Sequence, residues 1–391
     1  MPQAAEMAEH SVKPWRVLHA CETVAAAAPV AEAQSVVGMH PQLLSREYWS
    51  LKASNELSLL NVWHDVRDWR RVLNEAEAIT SLQIVHAHSF ASAMAGVRGG
   101  LPLVYDFVAT LEEVAMHQSH GHSGTWLLRS FRVAEQFALS RAGAVVTHSA
   151  AMKKIAHERG AASENIFVVP EPRAIAEVEA DRNWALHHAT DIDHDVIVFT
   201  LPDLRGIESQ LRLLSTLSLE LGYVLFVVEF ESADREDFMR RASELGIANA
   251  IRCVASNDRA QAISCADLVI APPSGSNING GMLQAMAAGR AVIAADVPEN
   301  RECSPDGRGC VWFKPGDDLD LVQRTAFVAR SREFAQSLGE NARAHIAASR
   351  AATVIGKRYD EVYRHAVARR TDSSLPKVEM PKIYALGMRM H

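Results

Sequence analysis

The chain has 391 residues, 48% of them hydrophobic and 22% charged, with a formal net charge of −7. That length suits two domains of about 150 to 200 residues, the composition is that of an ordinary soluble globular protein, and the acidic balance, with no basic half, excludes nucleic acid as the main partner. Five scattered cysteines without C-x-x-C spacing read as reduced structural thiols, "MPQAAEMAEHSVKPW" has no apolar signal core, and no apolar run reaches the ~18 residues of a membrane helix, so the expectation is a cytoplasmic protein with peripheral membrane contact left open.

Along the chain, short β-branched runs alternate with longer helical patterns, the signature of a parallel sheet covered on both faces. In the first half the strands are expected in "WRVLHA", "LQIVHAH", "LPLVYDF", "GAVVTHS" and "NIFVVPE", with a long helix in "TWLLRSFRVAEQFALSRA". After Pro172 the charged, aperiodic "RAIAEVEADRNWALHHATDIDHD" reads as a connection between domains. A second series follows in "DVIVFTL", "YVLFVVEF", "AIRCVA", "DLVIAPP", "AVIAAD" and "CVWFKPG", with helices in "IESQLRLLSTLSLELG" and "DREDFMRRASELG". From Leu321 the pattern is helical, and the last twenty or so residues, with two prolines, read as a tail or a strap. The expected fold class is therefore α/β, two Rossmann-like domains facing across a cleft. Their bounds are 14–172, a linker 173–194, 195–368, and a tail 369–391. Ligands of such sheets lie beyond the carboxyl ends of the strands.

Within the second series, "PPSGSNINGGMLQAMAAGR" places a Gly/Ser/Asn turn between a strand and a helix. Asn277, Asn279, Gly280 and Gly281 supply a flexible backbone, a capping side chain and exposed N–H groups at a helix start, which is what an anion needs. On residues alone the same stretch is equally a turn with an N-cap, closed by Gly289 in the C′ role.

The order of these segments resembles the family 4, or group 1, glycosyltransferases of GT-B architecture. The resemblance rests on "ADLVIAPPSGSNINGGMLQAMAAGRAVIAADVPENRECSPDGRGCVWFKPGDD", on "GAVVTHSAAMKKIAHERGAASENIFVVPEP" and on the "HxH" strand "LQIVHAHSF", and covers about residues 14–365. It implies a nucleotide-sugar held by the C-terminal domain and an acceptor (glycan, lipid-linked or small molecule) held by the N-terminal one. It also implies transfer with retention of configuration. No metal and no cofactor are expected, since protein cations and helix amides can carry the charge that builds on the leaving diphosphate.

Several polar positions depart from the family pattern. Its two glutamates, separated by seven residues, align with Ser276 and Gln284: a short neutral hydroxyl for the donor sugar, and an amide that accepts a ribose hydrogen bond without charge assistance. Of its paired phosphate cations, Thr200 stands for the Arg and Arg205 for the Lys; Arg205 is planar and always charged. Glu302 matches an acidic position at the edge of the donor site. On the acceptor side, His88 at the end of its strand shares a face with His86 and reads either as an acceptor contact or as a satisfied interior histidine. Asp106 orients an acceptor hydroxyl or caps a strand end, and Val108 replaces a family histidine. The family's Gly-rich turn after the first strand is here "AAAAPVAEA", which lets less backbone approach a ligand.

Two decoys are set aside. Asp191, Asp193 and Asp195 in "DIDHD" imitate a metal motif but fall in the linker, and His117, His120 and His122 in "HQSHGHSG" have open metal spacing in a polar loop. A Rossmann oxidoreductase fails for want of G-x-G-x-x-G after any strand. The rival of an active transferase is a catalytically inactive pseudo-glycosyltransferase that acts as a binding or scaffolding partner of an active enzyme.

Overall fold

A computed structural model describes residues 13–46, 59–79, 81–113, 125–172, 196–202, 206–230, 235–274 and 278–371. The chain divides into two compact units, residues 1–172 with 352–391, and residues 173–351.

In the first unit, β1 (Arg16–Cys21), β2 (His40–Ser45), β3 (Ile84–Ala87), β4 (Leu103–Asp106), β5 (Ala144–Thr147) and β6 (Ile166–Val168) form one sheet in the order β2-β1-β3-β4-β5-β6. Every neighbouring pair is parallel. Helices α1 (Val24–Val36), α2 (Leu59–Ile79), α3 (Phe90–Gly96), α4 (Thr125–Arg141) and α5 (Ala150–Glu158) connect them. Both faces of a parallel sheet are covered, so its strands are apolar on both sides. All residues of β3, β4 and β5 are accordingly buried, and the polar side chains among them, His86, Asp106 and Thr147, stand out.

Two elements differ from the sequence expectation. "AAAAPVAEA" lies inside α1, with Pro29 in the helix. β2, "HPQLLS", escapes a periodicity search because it is an edge strand, exposed at three of its six residues and tolerant of Pro41 as edge strands are.

The last helix, α13 (Ala352–Thr371), reads from the sequence as part of the second domain but packs on the first sheet. Ile355, Tyr359, Val362, Tyr363 and Ala366 are buried with Val17, Ile84, Val104 and Val146, and Trp15 Nε1 donates to Asp360 at 2.6 Å. Gly356 permits the close approach to α1, since a Cβ there would stand 2.4 Å from the Ala33 carbonyl oxygen.

In the second unit, β7 (Val196–Thr200), β8 (Val224–Glu229), β9 (Ile251–Val254), β10 (Leu268–Ala271), β11 (Ala291–Ala295) and β12 (Cys310–Phe313) form a parallel sheet in the order β12-β11-β10-β7-β8-β9. Its helices are α6 (Ile207–Leu221), α7 (Arg235–Glu244), α8 (Arg259–Cys265), α9 (Gly280–Ala287), α10 (Pro298–Arg301), α11 (Asp318–Ala329) and α12 (Arg332–Arg350). All eleven strand runs read from the sequence fall on these strands. No helix among the described residues is long and apolar enough to cross a membrane.

Each sheet has one place where the chain reverses its direction of travel across the strands. In the first unit it lies between β1 and β3; in the second, between β7 and β10. Crevices at the carboxyl ends of strands flanking such a switch point are where open α/β sheets hold ligands.

Candidate active site

At the β7/β10 switch the organising residue is Asn279, the N-cap of α9 and only 4% exposed. Its Oδ1 accepts from the Met282 amide at 3.0 Å. Its Nδ2 donates to the Pro272 carbonyl at 3.3 Å and to Asn300 Oδ1 at 2.9 Å. With every polar atom of its side chain engaged, Asn279 holds the turn and the helix start rather than reaching a ligand.

Asn300, which the sequence patterns do not reveal, completes the network. Fully buried, it donates to the Ala271 carbonyl at 3.2 Å and the Ala295 carbonyl at 2.9 Å. The carboxyl ends of β10 and β11 are thereby tied to the cap of α9. Gly281 brings α9 onto the end of β7, where a Cβ would stand 2.4 Å from Leu201 Cδ2.

The first turn of a helix cannot satisfy its own amides, and the Gly280 and Gly281 N–H groups have no acceptor among the described residues. They lie where helix-dipole and amide donors favour an anion. Along α9, positions 281–287 are buried except Gln284, which is half-buried, so Gln284 is the side chain of that run with access to solvent. Thr200 is buried, and its hydroxyl accepts from the Gln210 amide at 3.4 Å. Glu302 follows α10 half-buried, its carbonyl accepting from Arg350 at 3.4 Å. Arg205, Ser276 and Asn277 lie outside the described residues, as do the decoys at 117–122 and 191–195. Gly206, directly after Arg205, caps α6 at φ +90°, a left-handed backbone suited to glycine.

At the β1/β3 switch the sheet carries a run of buried polar side chains. His19 on β1 and His86 on β3 are register partners, and His88 follows two residues on. Their rings stack, with centroids 4.4 Å apart for His86 and His88 and 5.2 Å for His19 and His88. His88 Nδ1 donates to Asp106 Oδ2 at 3.0 Å, and His88 Nε2 lies 2.9 Å from His19 Nδ1. His19 Nε2 meets Gln34 Oε1 at 2.9 Å, Gln34 Nε2 donates to the Tyr363 hydroxyl at 2.6 Å, and His86 Nδ1 meets the same hydroxyl at 3.0 Å. Both nitrogens of His88 are thus taken within the unit. Its side chain is only 3% exposed. Val108, where the family pattern has a histidine, is 47% exposed, so the position with open access carries no polar group.

A residue the sequence analysis did not single out sets the charge here. His148, just after β5, places Nε2 3.3 Å from Asp106 Oδ1 and donates from Nδ1 to the Val169 carbonyl at 2.8 Å. Burial opposes a charge on its ring, but the Asp106 carboxylate outweighs it and raises the pKa to about 9. Burial likewise pushes the Asp106 carboxyl up, and His148 and His88 bring it well below the usual range. Burial, then the His88 neighbour, lowers His19 to about 3, and burial holds His86 well below its usual value. The centre is therefore a carboxylate–imidazolium pair beside two neutral imidazoles.

The pair has a pH signature. The folded pKa of His148 lies above the reference 6.5, so its contribution is complete below pH 6.5 and is lost as pH rises through about 9. Linkage puts it at about 3 kcal/mol. In urea titrations the wild type should lose stability across that window, and His148→Gln should show a flatter profile over it. Parallel slopes would contradict the charge pair.

Two family models match the chain, a glycosyl transferase 4-like domain over residues 4–172 and a glycosyl transferases group 1 domain over residues 224–330. Among solved structures, a glycosyltransferase from Rickettsia africae ESF-5 is 13% identical with a TM-score of 0.67, covering 91% of this chain and 99% of that one. HepE of Anabaena in complex with UDP and glucose is 15% identical with a TM-score of 0.63, over 90% and 99% of the two chains. Sucrose-phosphate synthase from Thermosynechococcus elongatus is 13% identical with a TM-score of 0.65, over 90% and 99%. A search of the curated proteins returns no match. The solved structures share the fold at low identity, and the two family models together span more than half of the sequence: the chain belongs to the group 1 glycosyltransferases of GT-B fold.

Proposed function

We propose that this glycosyltransferase moves a sugar from a nucleoside-diphosphate donor to an acceptor hydroxyl with retention of configuration, and needs no metal at the diphosphate. The observation that carries this reading is the start of α9: Gly280 and Gly281 amides without an acceptor among the described residues, beside the Asn279–Asn300 network at the β7/β10 switch point. HepE has been solved with UDP and with UDP-glucose, which supports a nucleotide-sugar as the ligand class for that place.

As the sugar–oxygen bond breaks, negative charge builds on the diphosphate, and donors already aimed there lower the barrier. In this reading the α9 amides and Arg205 receive that charge, Gln284 bonds the ribose, and Ser276 and Asn277 line the sugar side, with Glu302 at its edge. His88 and Asp106 belong to the acceptor side, where the Asp106–His148 ion pair and the engaged His88 ring hold the strand ends beneath the acceptor. Lipid-linked, glycan and small-molecule acceptors all offer the hydroxyl this chemistry requires.

One observation favours the silent alternative. Thr200, which stands for a family cation, is a buried neutral side chain turned to Gln210. Calorimetric titration with UDP-, GDP- and ADP-sugars separates the readings. Binding of one of them is expected, with Arg205→Ala weakening it more than Gln284→Glu. No heat from any donor at millimolar concentration would exclude the transferase, and equal tolerance of both substitutions would place the ligand elsewhere.

A further inference from the structure

Among the described residues one group of side chains has metal-ligand geometry. A ring nitrogen from each of His19, His86 and His88 lies within 4.8 Å of the other two. The outward nitrogen of each ring is already assigned a partner: His19 Nε2 faces Gln34 Oε1, His86 Nδ1 faces the Tyr363 hydroxyl, and His88 Nδ1 faces the Asp106 carboxylate. What remains pointing inward is His19 Nδ1, His86 Nε2 and His88 Nε2.

The outer partners fix what those inward nitrogens present. A carboxylate only accepts, so His88 Nδ1 carries a proton and Nε2 a lone pair. Gln34 donates to Tyr363 through its Nε2, which turns its carbonyl oxygen to His19. His19 Nε2 then carries the proton and Nδ1 the lone pair. His19 Nδ1 and His88 Nε2 lie 2.9 Å apart, where either one proton is shared between them or both lone pairs turn to a common cation. His86 Nε2 is buried and has no hydrogen-bond partner, and the neighbouring Tyr359 hydroxyl is a second buried polar atom without one. An orphaned buried donor or acceptor costs about 1–3 kcal/mol, so two in one cluster mark a place built around something else.

We propose that His19, His86 and His88 bind a divalent transition-metal ion, zinc above all, in the first unit of the chain. Metal-bound histidines characteristically donate their other N–H to a carboxylate, carbonyl or similar acceptor, and Asp106, Gln34 and Tyr363 occupy those places. Three imidazoles select zinc and its neighbours over magnesium or calcium, which take oxygen ligands. With Zn–N distances of about 2.0 Å, ligating nitrogens on one tetrahedral ion stand about 3.3 Å apart. His19 and His88 reach that from 2.9 Å by a shift of a few tenths of an ångström. Such an ion would lock β1 to β3 and fix His88 beside Asp106. It would act on the first unit and is independent of the donor site, so the proposal stands or falls separately from sugar transfer.

The test uses the untagged full-length protein, produced with zinc or cobalt in the medium and passed through gel filtration. Elemental analysis is expected to find about one zinc per chain, cobalt-loaded protein to show the visible bands of a low-coordinate Co(II)–imidazole centre, and zinc to raise the thermal midpoint. His86→Ala should abolish all three responses, while joint replacement of His117, His120 and His122 by alanine should leave them intact. Wild-type protein without bound metal or cobalt bands would overturn the proposal and leave a proton shared between His19 and His88. Metal lost with the loop histidines but kept in His86→Ala would also overturn it. Because the cobalt spectrum is read on the wild type, a variant that fails to fold does not rescue the idea.

Discussion

Asp106→Ala is expected to lower the unfolding free energy by about 3–5 kcal/mol at neutral pH, the usual cost of removing one member of a buried ion pair. The carboxylate is 5% exposed, with His88 at 3.0 Å on one oxygen and His148 at 3.3 Å on the other. Without it the His148 imidazolium is left buried without its counter-charge. The effect should therefore shrink above pH 9, where His148, with its pKa raised to about 9 by Asp106, loses its proton even in the wild type. Asp106→Asn keeps the shape and an acceptor for one histidine while losing the charge, so it should fall between wild type and alanine. Chemical denaturation at pH 7 and pH 10 reads both numbers. A deficit independent of pH would mean that Asp106 serves packing rather than charge.

Asn279→Ala is expected to have the second large effect. It removes a helix N-cap, about 1 kcal/mol, and strands the Asn300 Oδ1 and Pro272 carbonyl in a buried site at about 1–3 kcal/mol for each unsatisfied group. Relaxation of the turn offsets part of that, leaving a loss of about 3 kcal/mol. Because the same side chain fixes the direction of the Gly280 and Gly281 amides, donor affinity should fall tenfold or more. Asn279→Asp restores the acceptor for the Met282 amide but not the two donated bonds, and should recover the cap alone. A double-mutant cycle with Asn300→Ala should show strong non-additivity, as expected of partners in one network. Additive losses would contradict the network.

The fold was largely legible because parallel strands buried on both faces read as uninterrupted apolar runs, which is why "YVLFVVEF" and "DLVIAPP" fall on β8 and β10. β2 was not legible, since an edge strand containing Pro41 has neither an apolar run nor clean alternation. The placement of α13 was equally hidden: amphipathic periodicity reports that Tyr359 and Tyr363 are buried, not against which sheet. In the donor half, Asn279 showed itself as a cap through its place before two glycines. Asn300 gave no signal, because its partners are backbone carbonyls on two strands distant in sequence. In the first unit, His88 and Asp106 were visible as strand-end polar residues. His19 and His148 were not, because "WRVLHA" and "GAVVTHS" show one histidine each and only the sheet order brings β1, β3, β4 and β5 side by side.

In the proposed donor site, the Gly280 and Gly281 amides and Arg205 are left to carry the diphosphate charge, since the two acidic side chains of the family pattern are Ser276 and Gln284. The decisive measurement is the rate of nucleoside-diphosphate release from whichever donor sugar binds, in wild type and in Arg205→Ala. Release well above the spontaneous rate is expected for the wild type, falling about 10²–10³-fold in the variant, the usual effect of removing one charge-stabilising donor. A donor that binds tightly yet is broken down no faster than in buffer, with or without Arg205, would contradict catalysis and leave a protein that only holds its ligand.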